Sequence, residues 1–141
     1  RDVSLTVAPG QVVALTGPSG AGKTTLLRIA IGMVPPTAGG CFLDGHATMQ
    51  WDREDFARHV GYLPQDPLLT DGTVAEAIAR LGTPDMEAVM RAARLADAHA
   101  LIAALPAGYA TPIRAEGPLS AGQRQRVALA RALYGDPRLL V

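Results

Sequence analysis

Residues 17–25, Gly-Pro-Ser-Gly-Ala-Gly-Lys-Thr-Thr, constrain the fold more than any other part of this chain. They fit the phosphate-binding loop pattern G-x-x-x-x-G-K-[ST]. Such a loop points its backbone N–H groups at one anion, and glycines allow the close approach and unusual φ and ψ that this requires. Residues 11–16 are typical of a buried strand entering the loop, and residues 24–30 of the helix leaving it. We therefore predict a polyphosphate-binding unit, although the segment by itself could also be a glycine-rich turn.

The residue types in this loop suggest separate roles. Lys23 is predicted to be the cation for the β- and γ-phosphates of a triphosphate, and the Thr24 hydroxyl is placed to ligate Mg²⁺. The helix that follows directs the positive end of its dipole at the anion. The other predicted phosphate-binding residues are Gly17, Pro18, Ser19, Gly20, Ala21, Gly22 and Thr25.

A second motif, Leu-Ser-Ala-Gly-Gln at residues 119–123, precedes a helical pattern that continues to residue 133. Ser120 is a good N-cap residue, so an ordinary capped helix would explain the pentapeptide taken alone. Beside the phosphate loop, however, it resembles the signature segment of the ATP-binding-cassette (ABC) ATPases. The resemblance implies that Ser120, Gly122 and Gln123 dock against ATP held by a second copy, giving a homodimer with ATP at its interface.

Between these motifs, Gln65 follows a predicted short strand at residues 59–61. Taken alone, a strand followed by Pro-Gln is better explained as a solvated turn. Its position between the other two motifs nevertheless resembles the Q-loop of the ABC family. The resemblance assigns Gln65 to Mg²⁺ and the attacking water, with the following loop facing the transport partner.

The order of predicted elements indicates an α/β protein. The resemblance implies a P-loop NTPase (RecA-like) core with a mainly parallel sheet, plus an ABC-type α-helical subdomain. We predict that residues 1–141 are a partial ABC ATPase domain, incomplete at both ends. Its expected parts are a P-loop core with β elements at residues 1–65, a helical subdomain with the signature motif at residues 66–135, and the start of the Walker B strand at residues 136–141.

Local signals give the individual elements. Strands are predicted at residues 3–7, 11–16, 41–43, 59–61 and 138–141, and an Asp44-Gly45 turn ends the third of them. N-cap residues predict helices after Asp52, Thr73, Asp85 and Ser120, with a further short helix at residues 97–105. No strand is predicted within the helical subdomain.

The resemblance also implies residues beyond this sequence. In the family, an Asp that supports Mg²⁺ and a Glu that polarises water follow the Walker B strand, and a switch histidine comes later still. His46, His59 and His99 all precede the signature segment, and the upstream aromatic that stacks on adenine is missing. We expect an interior piece of a longer protein that is poorly stable and inactive by itself.

Residues 50–66 and 71–80 resemble exporter-type cassettes, and they are most similar to the ATPase half of type I secretion permeases, which expel proteases, lipases and related proteins. Residues 107–113 and 132–138 support the same branch. The resemblance implies a transmembrane domain of the exporter, a secreted protein cargo, a periplasmic adaptor, and a location at the cytoplasmic face of the bacterial inner (plasma) membrane. Two alternatives remain, a soluble ABC ATPase working on chromosomes or ribosomes and a nucleotide-binding regulator without hydrolysis.

Charge argues against a nucleic-acid partner. Lys and Arg total 13, as do Asp and Glu, so the formal net charge is zero and no basic footprint is present. Hydrophobic residues make up 48% of the chain, enough for a core. No run of 18 apolar residues predicts a membrane span.

Two positions depart from the family pattern. Ala121 stands where the family usually has glycine, and we expect it to be tolerated if it lies in a right-handed first helical turn. The approach at residues 116–119 is one residue shorter than usual, in the segment that the resemblance associates with signalling to the membrane domain.

Overall fold

The structure, a computed structural model, describes residues 3–69, 71–114 and 117–141. It divides into two compact units, one ending at Met49 and the other formed by Gln50–Val141. Short strands and helices are interspersed along the chain, as expected of the α/β class.

The first unit contains one helix and one hairpin. Helix α1 is Lys23–Ala30, and strands β1 (Phe42–Leu43) and β2 (His46–Ala47) pair antiparallel. Asp44 and Gly45 join the strands with φ of 49° and 80°, the left-handed pair that a two-residue type I′ turn needs. The predicted helix after the loop and the predicted Asp-Gly turn are both confirmed.

The strands predicted at residues 3–7 and 11–16 are absent, and these two predictions are wrong for this structure. Alternation at residues 3–7 and an apolar run at residues 11–16 predict strands, yet Val12 is 99% exposed and Val13 is 44% exposed. Alternation specifies which side chains share a face, whereas a strand also needs a hydrogen-bonded neighbour. Among the described residues, no strand pairs with either segment.

The second unit holds the remaining elements. In chain order they are α2 (Arg53–His59), β3 (Val60–Gly61), β4 (Gly72–Thr73), α3 (Val74–Ile78), α4 (Met86–Leu95), α5 (His99–Ala103), a 3₁₀ helix (Gly108–Ala110), β5 (Pro112–Ile113), α6 (Ala121–Leu133) and β6 (Leu139–Leu140). Side chains of the four predicted N-cap residues accept first-turn backbone N–H groups, and these are Asp52, Thr73, Asp85 and Ser120. The predicted helix starts are therefore confirmed, although α3 ends at Ile78 instead of the expected residue 81 and α5 is shorter than the predicted 97–105.

Helix α6 packs against α3 and α4 to form the core of this unit. Its largest fully buried side chains are aliphatic, namely Val74, Ile78, Val89, Ile102 and Val127. Alanines at 77, 92, 93 and 130 are also buried, and their small side chains let the helices approach closely. The amphipathic pattern of the sequence thus becomes one contiguous apolar cluster.

Strands β3 and β6 pair parallel, with Val60 opposite Leu139 and Gly61 opposite Leu140. Backbone hydrogen bonds extend this ladder on both sides of the strands, since the Leu63 N–H donates to the Val141 carbonyl at 2.8 Å and the Arg138 N–H to the His59 carbonyl at 2.8 Å. The strands predicted at residues 59–61 and 138–141 are confirmed in shorter form.

The helical stretch is not free of strands, which corrects the prediction. Strands β4 and β5 pair antiparallel, with Gly72 opposite Ile113 and Thr73 opposite Pro112. Two-residue strands so far apart in sequence leave no local signal that could be read in advance. The described part of the chain thus holds three two-stranded sheets, of which only β3–β6 is parallel. No helix in this part is long and apolar enough to cross a bilayer.

Candidate phosphate-binding site

Glycines give the loop before α1 its shape. Gly17, Gly20 and Gly22 have φ of 152°, 80° and 90°, in the region that favours glycine over any residue with a β-carbon. A β-carbon at Gly20 or Gly22 would meet no atom within 4 Å, so backbone conformation, not crowding, is the reason for glycine at these two positions. The predicted need for unusual φ in this loop is confirmed.

Helix α1 begins directly out of this loop. Its N-cap is Gly22, which offers no side-chain cap, and the first intrahelical bond runs from the Leu26 N–H to the Gly22 carbonyl at 2.9 Å. No N-cap side chain therefore accepts a hydrogen bond from the N–H groups of the first turn. A helix start of this kind is suited to an anionic ligand.

The Lys23 ammonium lies back over the loop. Its Nζ donates to the carbonyls of Gly17 at 2.7 Å and Pro18 at 2.8 Å. Phosphate oxygens, like these carbonyl oxygens, accept hydrogen bonds. A polyphosphate in the loop could therefore replace the two carbonyls as partners of the ammonium. The cation, the exposed Thr24 and Thr25 and the glycine backbone together fit a phosphate chain.

The described residues could hold a magnesium ion only if phosphate oxygens also served as its ligands. Among residues 3–69, 71–114 and 117–141, no group of three or more His, Cys, Asp or Glu side chains could hold a metal. Magnesium at phosphate sites takes one or two protein oxygens together with substrate oxygens and water. An exposed hydroxyl such as that of Thr24 and an exposed amide such as that of Gln65 match this donor chemistry.

Gln65 lies in the second unit, in an exposed bend just after the β3–β6 ladder. Helix α6 contacts the segment that follows Gln65. Arg131 of α6 donates from Nη1 to the Leu68 carbonyl at 2.9 Å. Burial lowers the pKa of Arg131, yet the guanidinium stays charged. No motif marked Arg131 in the sequence, since its partner is a backbone carbonyl far away along the chain.

Ser120 and Gln123 form a reciprocal capping box at the start of α6. The Ser120 hydroxyl accepts the Gln123 N–H at 3.3 Å, and the Gln123 side-chain oxygen accepts the Ser120 N–H at 2.8 Å. Gln123 is thus engaged in holding the helix start. Gly122 is exposed, and a β-carbon there would meet nothing within 4 Å.

Ala121 is the first residue of α6 and is not among the residues with positive φ. The expectation that its β-carbon is tolerated is confirmed, because the right-handed helical region is sterically allowed for a residue with a β-carbon. In the approach to the motif at residues 116–119, Glu116 lies outside the described residues, whereas Leu119 is buried. Arg124 holds Leu119 in place by donating from Nε to its carbonyl at 3.2 Å.

The structure therefore distributes the predicted site residues over its two units. The first unit holds the loop and the start of α1, that is Gly17, Pro18, Ser19, Gly20, Ala21, Gly22, Lys23, Thr24 and Thr25. The second unit holds Gln65, Ser120, Gly122 and Gln123.

Comparison with known proteins gives a family match over the whole chain. A family model described as "ABC transporter" matches residues 1–141. This match and the relatives below confirm the resemblance that the phosphate loop and the signature motif indicated.

Several curated relatives align along nearly the whole chain. The type I secretion system ATP-binding protein PrsD of Rhizobium meliloti is 51% identical over 99% of the chain. An ATP-dependent lipid A-core flippase of Burkholderia thailandensis is 40% identical over 99% of the chain. The mycobactin import ATP-binding/permease protein IrtA of Mycolicibacterium thermoresistibile is 43% identical over 100% of the chain. The chain spans 24% of the length of the first two relatives and 16% of the third.

Proposed function

This chain belongs to the ABC transporter family, and from that membership we propose that it binds and hydrolyses ATP as part of an ABC exporter. The observation that carries the proposal is the geometry of residues 17–23. Glycines with positive φ lead into an α-helix without a side-chain cap, and the Lys23 ammonium is held over the loop. This arrangement suits the β- and γ-phosphates of a nucleoside triphosphate.

Phosphoryl transfer sets a charge problem that these residues can meet. Negative charge is spread over the γ-phosphoryl oxygens in the transition state, and fixed positive groups stabilise it. Lys23 supplies a full charge, and the N–H groups of the loop and of the first turn of α1 supply dipoles. Magnesium, when bound, neutralises part of the phosphate charge. Thr24 and Gln65 are the residues that we propose hold it, with Gln65 also orienting the attacking water.

We propose that a second copy of this domain completes each site. The start of α6 is exposed at Ser120, Ala121 and Gly122, while the capping box keeps the helix start in a fixed conformation. An exposed helix N-terminus with small residues allows the backbone to approach a phosphate closely. Ser120 and Gly122 of one copy would thus face the nucleotide bound by Lys23 of the other.

The larger architecture follows from family membership as a proposal. The parallel pair β3–β6 is then part of a RecA-like, mainly parallel sheet, with β6 as the start of the Walker B strand. The helices packed on α6 are the ABC helical subdomain.

For the transported substrate, we propose type I protein secretion. The support is PrsD, named as a type I secretion system ATP-binding protein and 51% identical to this chain. The proposed partners are a transmembrane domain, a secreted protein cargo and a periplasmic adaptor, at the cytoplasmic face of the bacterial inner membrane. The flippase at 40% identity favours lipid export as a second candidate. Deleting the parent gene distinguishes the two, because loss of proteins from the medium supports secretion and altered outer-leaflet lipid supports lipid export.

Removing magnesium tests the hydrolytic function. The purified full-length protein is expected to release phosphate from ATP, to stop when the metal is chelated, and to recover when Mg²⁺ is added back. The reason is that a triphosphate carries several negative charges, which the single ammonium of Lys23 cannot neutralise without the metal. Phosphate release in a coupled assay is the measurement. Nucleotide binding without any magnesium-dependent release would instead support the regulator alternative.

Replacing Ser120 tests the proposed dimer. Ser120→Phe in the full-length protein is expected to abolish hydrolysis, because the aromatic ring fills the space that the partner's nucleotide requires. Binding of a fluorescent ATP analogue is expected to stay within about threefold of wild type. Loss of the helix cap alone is worth only about 1 kcal/mol and cannot account for complete inactivation.

Two variants control for the cap. Ser120→Thr retains the hydroxyl that accepts the Gln123 N–H and should keep most activity. Asp85→Ala removes the equivalent cap of α4, where the carboxylate accepts the Glu87 N–H at 3.0 Å, and should leave hydrolysis intact. If Ser120→Phe loses nucleotide binding to the same extent as hydrolysis, the residue does not act across a dimer interface.

A further inference from the structure

Arg80 occupies a backbone position that favours glycine. Helix α3 ends in a Schellman motif, with the Leu81 N–H bonded to the Glu76 carbonyl at 2.8 Å and the Arg80 N–H to the Ala77 carbonyl at 3.4 Å. Arg80 has φ of 57° in this motif. Helix α1 ends in the same way, with Gly32 at the equivalent position and φ of 66°. A residue with a β-carbon is disfavoured here, so the arginine side chain must contribute something that glycine cannot.

The side chain of Arg80 reaches the C-terminal ends of two other helices. Its Nε donates to the Arg131 carbonyl at 3.3 Å, and its Nη2 donates to the carbonyls of Ala132 at 3.4 Å and Tyr134 at 3.1 Å. Its Nη1 donates to the Ala57 carbonyl. The last carbonyls of a helix have no partner within the helix, and they form the negative end of its dipole. One guanidinium thus caps α6 and α2 together.

All four of these acceptors are backbone oxygens. Among the described residues, the ion pairs involve other arginines and one histidine and do not include Arg80. Burial lowers the pKa of Arg80, and the nearby positive charge of Arg131 lowers it further. The group nevertheless remains a cation, because a guanidinium does not lose its proton in proteins. The two helix ends are therefore the groups that hold this charge.

The two capped helices lead to the proposed catalytic residues. Helix α2 runs directly into β3, and Gln65 follows four residues after Gly61. Helix α6 leads to β6, which pairs with β3, and its opposite end begins at Ser120. With 13 residues, α6 is a rod about 20 Å long. A small rotation at its capped end therefore becomes a displacement at the Ser120 end.

We propose that Arg80 is a positioning residue for ATP hydrolysis, whose guanidinium joins the ends of α2 and α6 and so fixes Ser120 relative to Gln65. This inference rests on the proposed ATPase function. A guanidinium is suited to the task because its planar fork donates in several directions at once, whereas an ammonium acts as a point charge.

Arg80→Gly and Arg80→Lys in the full-length protein test the proposal. Glycine relieves the disfavoured φ and removes the guanidinium, while lysine keeps the charge but cannot serve both helix ends. We expect kcat for ATP hydrolysis to fall at least tenfold in both variants. The Kd for a fluorescent ATP analogue should stay within threefold, because Arg80 caps helix ends and is not among the proposed ATP-binding residues. Amide hydrogen exchange should accelerate at the Leu63 and Val141 N–H groups of the β3–β6 ladder.

Two matched variants separate positioning from general stability. Arg91→Met removes an arginine whose ion pairs to Glu87 and Asp136 lie at the surface, and it should leave kcat unchanged. Val89→Ala destabilises the same core without touching the Arg80 contacts, so it should lower the melting temperature while kcat stays near wild type.

The outcomes distinguish this inference from the function on which it rests. Wild-type kcat in Arg80→Gly or Arg80→Lys overturns the positioning role while leaving the ATPase proposal intact. The positioning role is also overturned if Val89→Ala and Arg80→Gly have the same melting temperature and lose kcat to the same extent. A wild-type protein without any Lys23-dependent hydrolysis overturns both.

Discussion

Lys23→Ala in the full-length protein is expected to reduce ATP hydrolysis by two to three orders of magnitude or more. Lys23 is the only cationic residue within the loop sequence at residues 17–25, and its ammonium donates to the Gly17 and Pro18 carbonyls. Removing one fixed donor to a developing oxyanion typically costs about a hundredfold to a thousandfold in rate, and a charged donor is worth more. Initial rates of phosphate release at saturating Mg²⁺ and ATP measure the effect.

Arg28→Ala is the matched control for Lys23→Ala. Arg28 lies in the last turn of the same helix and is exposed, so its loss changes the charge of α1 equally. Because the charge is then removed from the C-terminal end of the helix, away from the loop, hydrolysis should stay within about twofold of wild type. Unchanged turnover in Lys23→Ala would exclude this loop as the phosphate site, whatever the family match.

Helix starts were predictable because their signal is local. A residue that caps a helix acts on N–H groups two or three positions away, so Asp52, Asp85 and Ser120 could be identified from the sequence alone. The same holds for the Asp-Gly turn, where both residues must adopt left-handed φ. The glycines of the phosphate loop belong to this class, since their requirement is a backbone conformation of the residue itself.

Features that depend on a distant partner were not predictable. Gly72 pairs with Ile113 in β4–β5, and no pattern within either segment announces the other. The segment at residues 11–16 shows the converse, since it has the apolar run of a strand and lacks a hydrogen-bonded neighbour among the described residues. Arg80 lies between these cases. A non-glycine residue at the end of α3 could have been noticed, but the carbonyls that it caps come from two remote helices.

The candidate site divides along the same line. Motif spacing predicted the residues of the phosphate loop and of the signature segment, and the structure adds the local geometry of Lys23, Ser120 and Gln123. A motif does not predict the contacts that hold the segments around the site, such as the hydrogen bond from Arg131 to the Leu68 carbonyl. Support of this kind is set by packing and becomes visible only in three dimensions.

Gly61→Ala is expected to destabilise the second unit more than any other single methyl addition at its glycines. A β-carbon at Gly61 would lie 2.1 Å from the Ala132 carbonyl oxygen and 2.8 Å from Leu140 Cδ1. The carbonyl belongs to the last turns of α6 and cannot rotate away as a side chain would. Relief therefore requires α6 to separate from β3, at a cost of about 3 kcal/mol.

A loss of this size should lower the melting temperature of the ATPase domain by about 10 °C, measured by thermal unfolding of the full-length protein. Gly82→Ala is the control, because its β-carbon would meet only the Ala79 carbonyl, at 3.4 Å, and φ there is not left-handed. That variant should melt within about 2 °C of wild type. If Gly61→Ala melts like Gly82→Ala, α6 does not approach β3 this closely. Because Ala132 is also an acceptor for Arg80, Gly61→Ala should in addition weaken the joint between α2 and α6.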